Sequence, residues 1–237
     1  MPLNKYLAHC GITSRRKAVL PIAQGRVVVN NQVVRESGRR IEVEKDTILL
    51  DGKNVKPPCC FRYVLLNKPR GVITAVDDGR GRKTVVDLLS TGERLFPVGR
   101  LDLDTEGALL LTNDGELAYR LTHPKYEIEK VYEALVKGQV KKETLEVIAS
   151  GVALSEGVAV TGQARILKKN RRQTWIEIRV HEGKKRQIRQ MMKAVGHPVV
   201  QLKRTQFAGL KVTGLASGKW RSLTVSEVKT LYQKVHV

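Results

Sequence analysis

Residues 97–107 read PVGRLDLDTEG, and the residues that follow directly, 108–115, read ALLLTNDG. A short apolar run bounded by turn signals such as NDG is typical of a buried β-strand. The segment before it carries three acids between Gly99 and Gly107, and loops at the ends of strands often carry functional side chains. The sequence therefore predicts a candidate site loop that leads directly into a buried strand.

The acids of this loop are unexpected because the chain is strongly basic. It has 43 Lys and Arg against 23 Asp and Glu among 237 residues, a net charge of +20. A chain with 41% hydrophobic residues can fold, and its charge indicates a polyanionic partner, most commonly nucleic acid. A solvated basic surface without a partner is the alternative. Because carboxylates repel phosphate, Asp102 and Asp104 need a function or a cationic partner.

Two kinds of chemistry could use these carboxylates. Asp102 and Asp104 could hold a divalent metal ion for phosphodiester cleavage, although no second acidic cluster supplies further ligands at an obvious spacing. Alternatively, one Asp acts as a nucleophile or a base and is kept ionised by a buried Arg. A polar turn without chemistry is the third interpretation.

Two further residues are candidates for the same site. The apolar spacing predicts a helix over 183–195, and Arg189 lies beside its apolar stripe, where it could reach the core. Tyr132 lies in a predicted strand over 131–136. Each also has a structural interpretation without chemistry. Arg189 could belong to a solvated basic helix face shared with Lys185, and Tyr132 could be a core tyrosine.

The first 58 residues read as a small domain, followed by a linker over about residues 53–60. Its predicted elements are helices over 4–9 and 15–24 and strands over 27–29, 32–34, 41–43 and 47–50. Ser14 is the expected N-cap of the second helix. Pro21 stands in the interior of that helix, where proline costs about 3 kcal/mol.

Three basic residues, Arg15, Arg16 and Lys17, crowd the first turn of this second helix. Positive charge at that end opposes the helix dipole, so folding alone would favour acids there. The arrangement suggests a phosphate that bridges the basic side chains and the exposed N–H groups. A solvated surface run is the alternative.

Residues 61–237 read as a larger domain of mixed elements. The predicted strands cover 63–66, 72–75, 108–111, 131–136 and 174–180, and the predicted helices follow Gly115, cover 143–150 and 183–195, and begin at Thr224. Thr224 and Glu227 have the spacing of a capping box. Because no βαβ period repeats, we predict an α+β fold with a mostly antiparallel mixed sheet flanked by helices.

Cysteine content and hydropathy indicate the cellular compartment in which the protein works. The cysteines, Cys10, Cys59 and Cys60, are odd in number and two are adjacent, which fits a reducing cytosol better than a disulfide framework. No C-x-x-C motif or histidine cluster indicates a zinc site. Without an apolar leader or a run of membrane-spanning length, we expect a cytoplasmic protein that avoids membranes and is by default a monomer.

Several segments together resemble the pseudouridine synthases of the RsuA/RluB branch, which act on ribosomal RNA. The most specific segment is PVGRLDLDTEG at 97–107, followed by LLLTNDG at 109–115. The others are NKPRG at 67–71, EKVY at 129–132 and EGKKRQIR at 182–189. The first part of the chain resembles the small RNA-binding domain of ribosomal protein S-four, through SRRKA at 14–18 and GRV at 25–27.

The resemblance implies a role for each matched residue. Asp102 would attack the target nucleotide, by adding to its sugar or base or by removing a sugar proton, and Arg189 would form a salt bridge with Asp102. Arg100 would enter the RNA where the uridine leaves the stack. Tyr132 would stack on the uracil and help to remove the proton from C5, and Ile188 would pack under the base.

Other basic residues of these motifs would bind RNA. Those implied to contact the substrate are Lys130, Lys185 and Arg186, and those in the N-terminal domain are Arg15, Arg16, Lys17 and Arg26. The glycosidic bond breaks and the uracil rejoins the sugar through C5, with no redox step and no group lost to water. We therefore expect neither a cofactor nor a metal.

The implied function is site-specific conversion of a uridine to pseudouridine in ribosomal RNA, with base flipping. The region around Gly138 and residues 124–128 look nearer to members acting on large-subunit than on small-subunit RNA. A non-catalytic ribosomal RNA-binding protein that assists ribosome assembly is the main alternative, and a metal-dependent nuclease is another. The presence of Asp102, Tyr132 and Arg189 favours the enzyme.

Overall fold

The computed structural model describes residues 1–90, 92–154 and 159–235, which form two compact units. The first unit comprises Met1–Arg62 and two short later segments, and the second comprises most of the remaining chain. Each unit has its own apolar core.

The first unit has helices and a small antiparallel sheet. Its elements are α1 (Leu3–His9), α2 (Val19–Ala23), β1 (Val27–Val29), β2 (Gln32–Val34), β3 (Ile48–Leu50) and β4 (Lys53–Asn54). The strand order is β2-β1-β3-β4. Asn30 and Asn31 have φ values of 50° and 65°, which asparagine tolerates, and form the two-residue turn between β1 and β2. Leu3 and Val27 pack together in the core beneath.

The prediction for the second helix was wrong at its start. The helix begins at Val19 rather than Arg15, and residues 15–18 form turns. In a longer helix the ring of Pro21 would clash with the carbonyl group of Lys17. Pro21 instead lies in the first helical turn, where an N–H group has no intrahelical partner to lose. The expected cost of an interior proline therefore does not arise.

Two other predictions for this unit also need correction. No strand forms over 41–43, because the Glu42 backbone N–H donates to the Asp46 carboxylate at 2.8 Å within a turn. Lys53–Asn54, predicted as the start of the linker, pairs with β3 as an edge strand. The segment without helix or strand therefore begins at Val55.

The second unit contains one large mixed sheet and a separate sheet of two short strands, which are β9 and β10 in the chain order that follows. Its strands are β5 (Tyr63–Lys68), β6 (Phe96–Pro97), β7 (Glu106–Thr112), β8 (Lys130–Lys137), β9 (Val152–Ala153), β10 (Ala159–Val160), β11 (Gln163–Lys169), β12 (Gln173–Val180), β13 (Val199–Phe207), β14 (Leu210–Lys211) and β15 (Trp220–Ser222). Its helices are α3 (Gly115–Thr122), α4 (Lys142–Ser150), α5 (Gln187–Ala194) and α6 (Val225–Lys234). The main order is β11-β12-β8-β13-β7-β5-β15, and β7 and β13 run parallel while the other neighbours in it run antiparallel.

Strand β7, the buried strand predicted from ALLL, lies between β5 and β13. Its side chains alternate between two apolar clusters, with Leu110 in one and Leu109 and Leu111 in the other. At Gly107 an added Cβ would lie 2.1 Å from the Arg204 carbonyl oxygen of β13. Only glycine allows this close approach, so the end of the site loop is held tightly against the neighbouring strand.

Sequence patterns missed several strands of this sheet, above all β13 at its centre. Its sequence, VVQLKRTQF, mixes polar and apolar residues, and burial along it is irregular. Residues 72–75, predicted as a strand, form only one bridge, from Ile73 to Thr84. The α+β fold with a mostly antiparallel sheet is confirmed, as is the capping box of α6, in which Thr224 and Glu227 bond reciprocally.

Candidate active site

A buried lysine donates hydrogen bonds to the backbone of the site loop. The Lys68 side chain is fully buried, and its Nζ donates to the carbonyl oxygens of Pro69 (3.0 Å), Asp102 (3.1 Å) and Thr105 (2.9 Å). Burial lowers the pKa of Lys68 to about 8, and the Asp102 and Asp104 carboxylates oppose this shift. Sequence reasoning gave Lys68 no role, because nothing in the sequence signals that this ammonium group is buried.

Most of the residues predicted for the site line one cavity of about 1140 Å³ within the second unit. They are Arg100, Asp102, Lys130, Tyr132, Lys185, Arg186 and Ile188. Ordinary small-molecule pockets have volumes of about 300–1,000 Å³, so the cavity has room for a nucleotide.

The arginine predicted to pair with Asp102 pairs with Asp104 instead. Arg189 Nη2 lies 3.0 Å from Asp104 Oδ2 and 3.2 Å from the Asp104 carbonyl oxygen, and Nη1 donates to the Val199 carbonyl oxygen at 3.5 Å. Asp102 Oδ2 lies 3.9 Å from Arg186 Nη1, and Arg186 Nη2 lies 3.6 Å from Asp104 Oδ2. The prediction was wrong because backbone carbonyl groups hold the mostly buried Arg189 beside β13.

The two aspartates nevertheless face fixed positive charge. Burial lowers the pKa of Arg189, whereas Asp104 and, more weakly, Asp102 raise it. A guanidinium group stays protonated at any physiological pH, so the charge persists. Asp102 therefore lies beside Arg186, whereas Asp104 is paired with both arginines.

The predicted helix over 183–195 begins later than expected. Helix α5 starts at Gln187, because Arg186 has a left-handed φ of 52° that a helix cannot include. The Lys184 backbone N–H donates to Gln187 Oε1 at 3.0 Å. Lys185 and Arg186 consequently lie in a turn that lines the cavity, so the expected basic face shared by Lys185 and Arg189 does not lie on one helix.

Tyr132 and Ile188 reach the cavity from different elements. Tyr132 is half-buried on β8 and packs against two apolar clusters. Ile188 lies in the first turn of α5 and is 4% exposed. The structure thus brings the side chains at 102, 132 and 188 around one space.

Two cations in the cavity lining are buried to a large extent. Lys130 Nζ donates to the carbonyl oxygens of Ile128 (2.7 Å) and His181 (2.8 Å), and burial, with a further contribution from Arg204, lowers the pKa of Lys130 to about 8. Arg204 is 3% exposed and donates through Nε to the Ala108 carbonyl oxygen at 2.8 Å. Sequence reasoning missed Arg204, since it lies in a strand that no pattern indicated.

The basic residues predicted to bind RNA in the first unit differ in their surroundings. Arg15, Arg16 and Lys17 are exposed in the turns before α2. A phosphate at the helix N-terminus beside them was expected, but that N-terminus lies further along, at Val19. Arg26 is paired with Asp51, with Nε 2.8 Å from Oδ1.

Three findings bear on other kinds of site. Within the described ranges, no three His, Cys, Asp or Glu side chains come together as a set of metal ligands. No helix in those ranges is both long and apolar enough to cross a bilayer. Cys59 and Cys60 are exposed free thiols with Sγ atoms 3.9 Å apart.

Comparison with known proteins identifies the family. Residues 62–194 match the RNA pseudouridylate synthase family, and residues 1–48 match the S4 domain. The chain belongs to the RNA pseudouridylate synthase family. This pseudouridine synthase is 46% identical to the ribosomal large subunit pseudouridine synthase B of Bacillus subtilis (strain 168), over 97% of this chain and 94% of that protein.

Two other proteins align with almost the whole synthase. An uncharacterized RNA pseudouridine synthase of Aquifex aeolicus (strain VF5) is 45% identical over 98% of this chain and 94% of its own length. A solved crystal structure of a pseudouridylate synthase has a TM-score of 0.69 at 28% identity, covering 98% of this chain and 99% of that one. The protein is therefore an RNA-modifying enzyme with an N-terminal S4 RNA-binding domain.

Proposed function

We propose that this synthase converts one uridine of large-subunit ribosomal RNA to pseudouridine, with Asp102 as the catalytic carboxylate. One observation carries the proposal: Asp102, Tyr132, Arg100 and Ile188 line a single cavity large enough for a nucleotide. The choice of large-subunit RNA is supported by the name of the Bacillus subtilis relative.

The reaction needs one carboxylate and no added group. Asp102 attacks the nucleotide at its sugar or base or removes a sugar proton, and the bond between N1 and the sugar C1′ breaks. The uracil turns, C5 bonds to C1′, and the proton lost from C5 is balanced by one gained at N1. Tyr132 stacks on the uracil and assists removal of that proton, and Ile188 supports the base.

Two arginines place positive charge around the attacking group. Arg186 places a positive charge 3.9 Å from the Asp102 carboxylate, in a cavity that also receives RNA. Arg189 acts one step away, because its ion pair at 3.0 Å is with Asp104. This division replaces the direct pair of Arg189 with Asp102 that the resemblance implied.

The uridine must leave its stack to enter the cavity, at a cost of a few kcal/mol. Arg100 fills the gap in the RNA, and phosphate contacts of the chain, whose net charge is +20, offset the cost. Lys185 in the cavity and the N-terminal domain, residues 1–58 with Arg15, Arg16, Lys17 and Arg26, supply such contacts. In the same proposal the protein acts as a cytoplasmic monomer on free RNA or a pre-ribosomal particle.

The decisive experiment replaces Asp102 by Asn. Tritium release from RNA labelled at uridine C5 should fall by about a thousandfold or more, while RNA affinity stays within about tenfold, or 1.4 kcal/mol. Glu146→Gln, an exposed site on α4, removes the same charge and should leave both values unchanged.

Excess chelator in every assay separates isomerisation from metal-dependent cleavage. Pseudouridine mapping of ribosomal RNA, with and without the gene, identifies the uridine. Full tritium release by Asp102→Asn would overturn the assignment of Asp102 as the catalytic carboxylate. RNA binding without any isomerisation by the wild-type protein would instead favour the alternative of a non-catalytic assembly factor.

A further inference from the structure

Arg204 is a buried cation whose bonding is incomplete. Its side chain lines the cavity and is 3% exposed. Nε donates to the Ala108 carbonyl oxygen, and the Cζ lies 4.8 Å from the Phe207 ring centroid. Nη2 is buried and has no hydrogen-bond partner among the described residues.

Lys130 is a second cation beside it. Its Nζ has two backbone carbonyl oxygens as partners, which carry no full negative charge. Glu182 attracts Lys130 at longer range and forms its own ion pair with Lys184 at 3.4 Å. In the part of the chain that the structure describes, neither Lys130 nor Arg204 forms a salt bridge.

The position of Arg204 relative to Tyr132 follows from the sheet register. The two residues are direct partners on β13 and β8, and directly opposed residues of an antiparallel pair place their side chains on the same face. Both line the same cavity. Arg204 and Tyr132, the tyrosine proposed to stack on the uracil, are therefore neighbours on the sheet face that borders the cavity.

Two neighbouring cations that are largely buried and form no salt bridge are unfavourable unless an anion joins them, because a buried charge requires pairing. A guanidinium group binds phosphate strongly through charge-assisted hydrogen bonds, and an ammonium group adds a point charge. A neutral uracil carbonyl would satisfy one donor and offset neither charge.

We propose that Arg204 and Lys130 form a phosphate-binding subsite that holds a backbone phosphate of the everted nucleotide beside Tyr132. The inference rests on the proposed function for the identity of that nucleotide. In this arrangement the cavity holds the nucleotide at its phosphate, and the sugar C1′ is thereby placed for Asp102.

The test uses uridine 3′,5′-bisphosphate and, as the uncharged match, uridine. Binding is followed by NMR on protein labelled with ¹⁵N-arginine, in the wild type and in Arg204→Met, Arg204→Lys and Lys130→Met. We expect the wild type to prefer the bisphosphate by about tenfold or more, the Arg204 Nε signal to shift with the bisphosphate, and Arg204→Met to lose most of the preference.

The control is Lys203→Met, which removes a neighbouring charge of β13 and should preserve the preference. Arg204→Lys keeps the charge and should retain part of it, which guards against a Met variant that fails to fold. Equal weakening of both ligands in Arg204→Met would instead assign the donor to the uracil, and a wild type without preference for the bisphosphate would also overturn the proposal. Because binding needs no turnover, a failed isomerisation assay would not affect this result.

Discussion

The site loop and the basic turn of the first unit use positive charge in opposite ways. Lys68, under the loop, is fully buried and bonded to three carbonyl oxygens, whereas Arg15 and Arg16 are exposed to solvent. Exposed charges attract a polyanion at long range, and each can be replaced without moving the backbone around it. A buried ammonium group sets the position of the backbone around it, so its replacement changes geometry. The two regions should therefore differ in tolerance to substitution.

The largest effect is expected at Gly107, where β7 meets β13. In Gly107→Ala the new Cβ would lie 2.1 Å from the Arg204 carbonyl oxygen, at a φ of +114°. We expect the free energy of unfolding, measured with denaturant, to fall by about 4 kcal/mol or more. Gly115→Ala is the control, because an added Cβ there meets no atom within 4 Å. Equal stability of the two variants would show that the strands can separate without cost.

Lys68→Met should have the next largest effect and should act on catalysis. It removes the donor shared by three carbonyl groups, each of which costs about 1–3 kcal/mol when buried without a partner. A shift of the Asp102 loop by about 1 Å should lower kcat about a hundredfold, with RNA affinity within about tenfold. Lys211→Met, at an exposed lysine of β14, is the control. A Lys68→Met enzyme with normal kcat would mean that the loop holds its shape without the ammonium group.

The exposed turn should respond in the opposite sense. The double variant Arg15→Gln, Arg16→Gln should bind RNA about tenfold more weakly and reduce the slope of log K against log salt by up to about 2. At saturating RNA its kcat should equal that of the wild type. The charge-matched pair Arg39→Gln, Arg40→Gln, exposed in the same unit, tests the specificity of the effect. Equal losses in both pairs would indicate general attraction rather than a binding surface.

The smallest effect is a pH dependence of stability due to Lys130. Burial holds the pKa of Lys130 near 8, below the value of about 10.5 in an unfolded chain, so its charged form destabilises the fold. The penalty is full below pH 8 and is relieved as the pH rises from about 8 to 10.5. Arg204 increases the penalty and Glu182 reduces it.

The stability of the wild type relative to Lys130→Met should therefore rise between pH 7.5 and 9.5. The measurement is denaturant unfolding of both proteins at each pH. A constant difference would mean that Lys130 titrates normally and is not a buried cation.

The parts of the fold that sequence alone predicted are those decided by local pattern. The run ALLL predicted β7 because four apolar residues between turn signals are compatible with few structures other than a buried strand. Thr224 and Glu227 predicted the start of α6 because a capping box acts over only four residues. For the site, the glycine-bounded loop pointed to Asp102. Tyr132, for which the strand alone allowed a core position, lines the cavity.

The parts that sequence did not predict depend on long-range contacts or on one backbone angle. Strand β13 has no clear alternation, since its pairing with β7 and β8 rather than its own pattern determines its burial. Arg204 was missed for that reason. The partner of Asp102 was misassigned because the left-handed conformation of Arg186 delays the start of the helix to Gln187 and brings Arg186 to the cavity.

The place of β13 in the sheet also governs when the enzyme becomes active during its own synthesis. Strands β7 and β8 leave the ribosome early but are not neighbours, because β13 inserts between them. The nascent chain can form hairpins and helices before then, yet the cavity lacks one wall until Phe207 has emerged. A synthase stalled before that point would contain Asp102 and Tyr132 without the strand that joins them, so translation itself delays activity until β13 has been made.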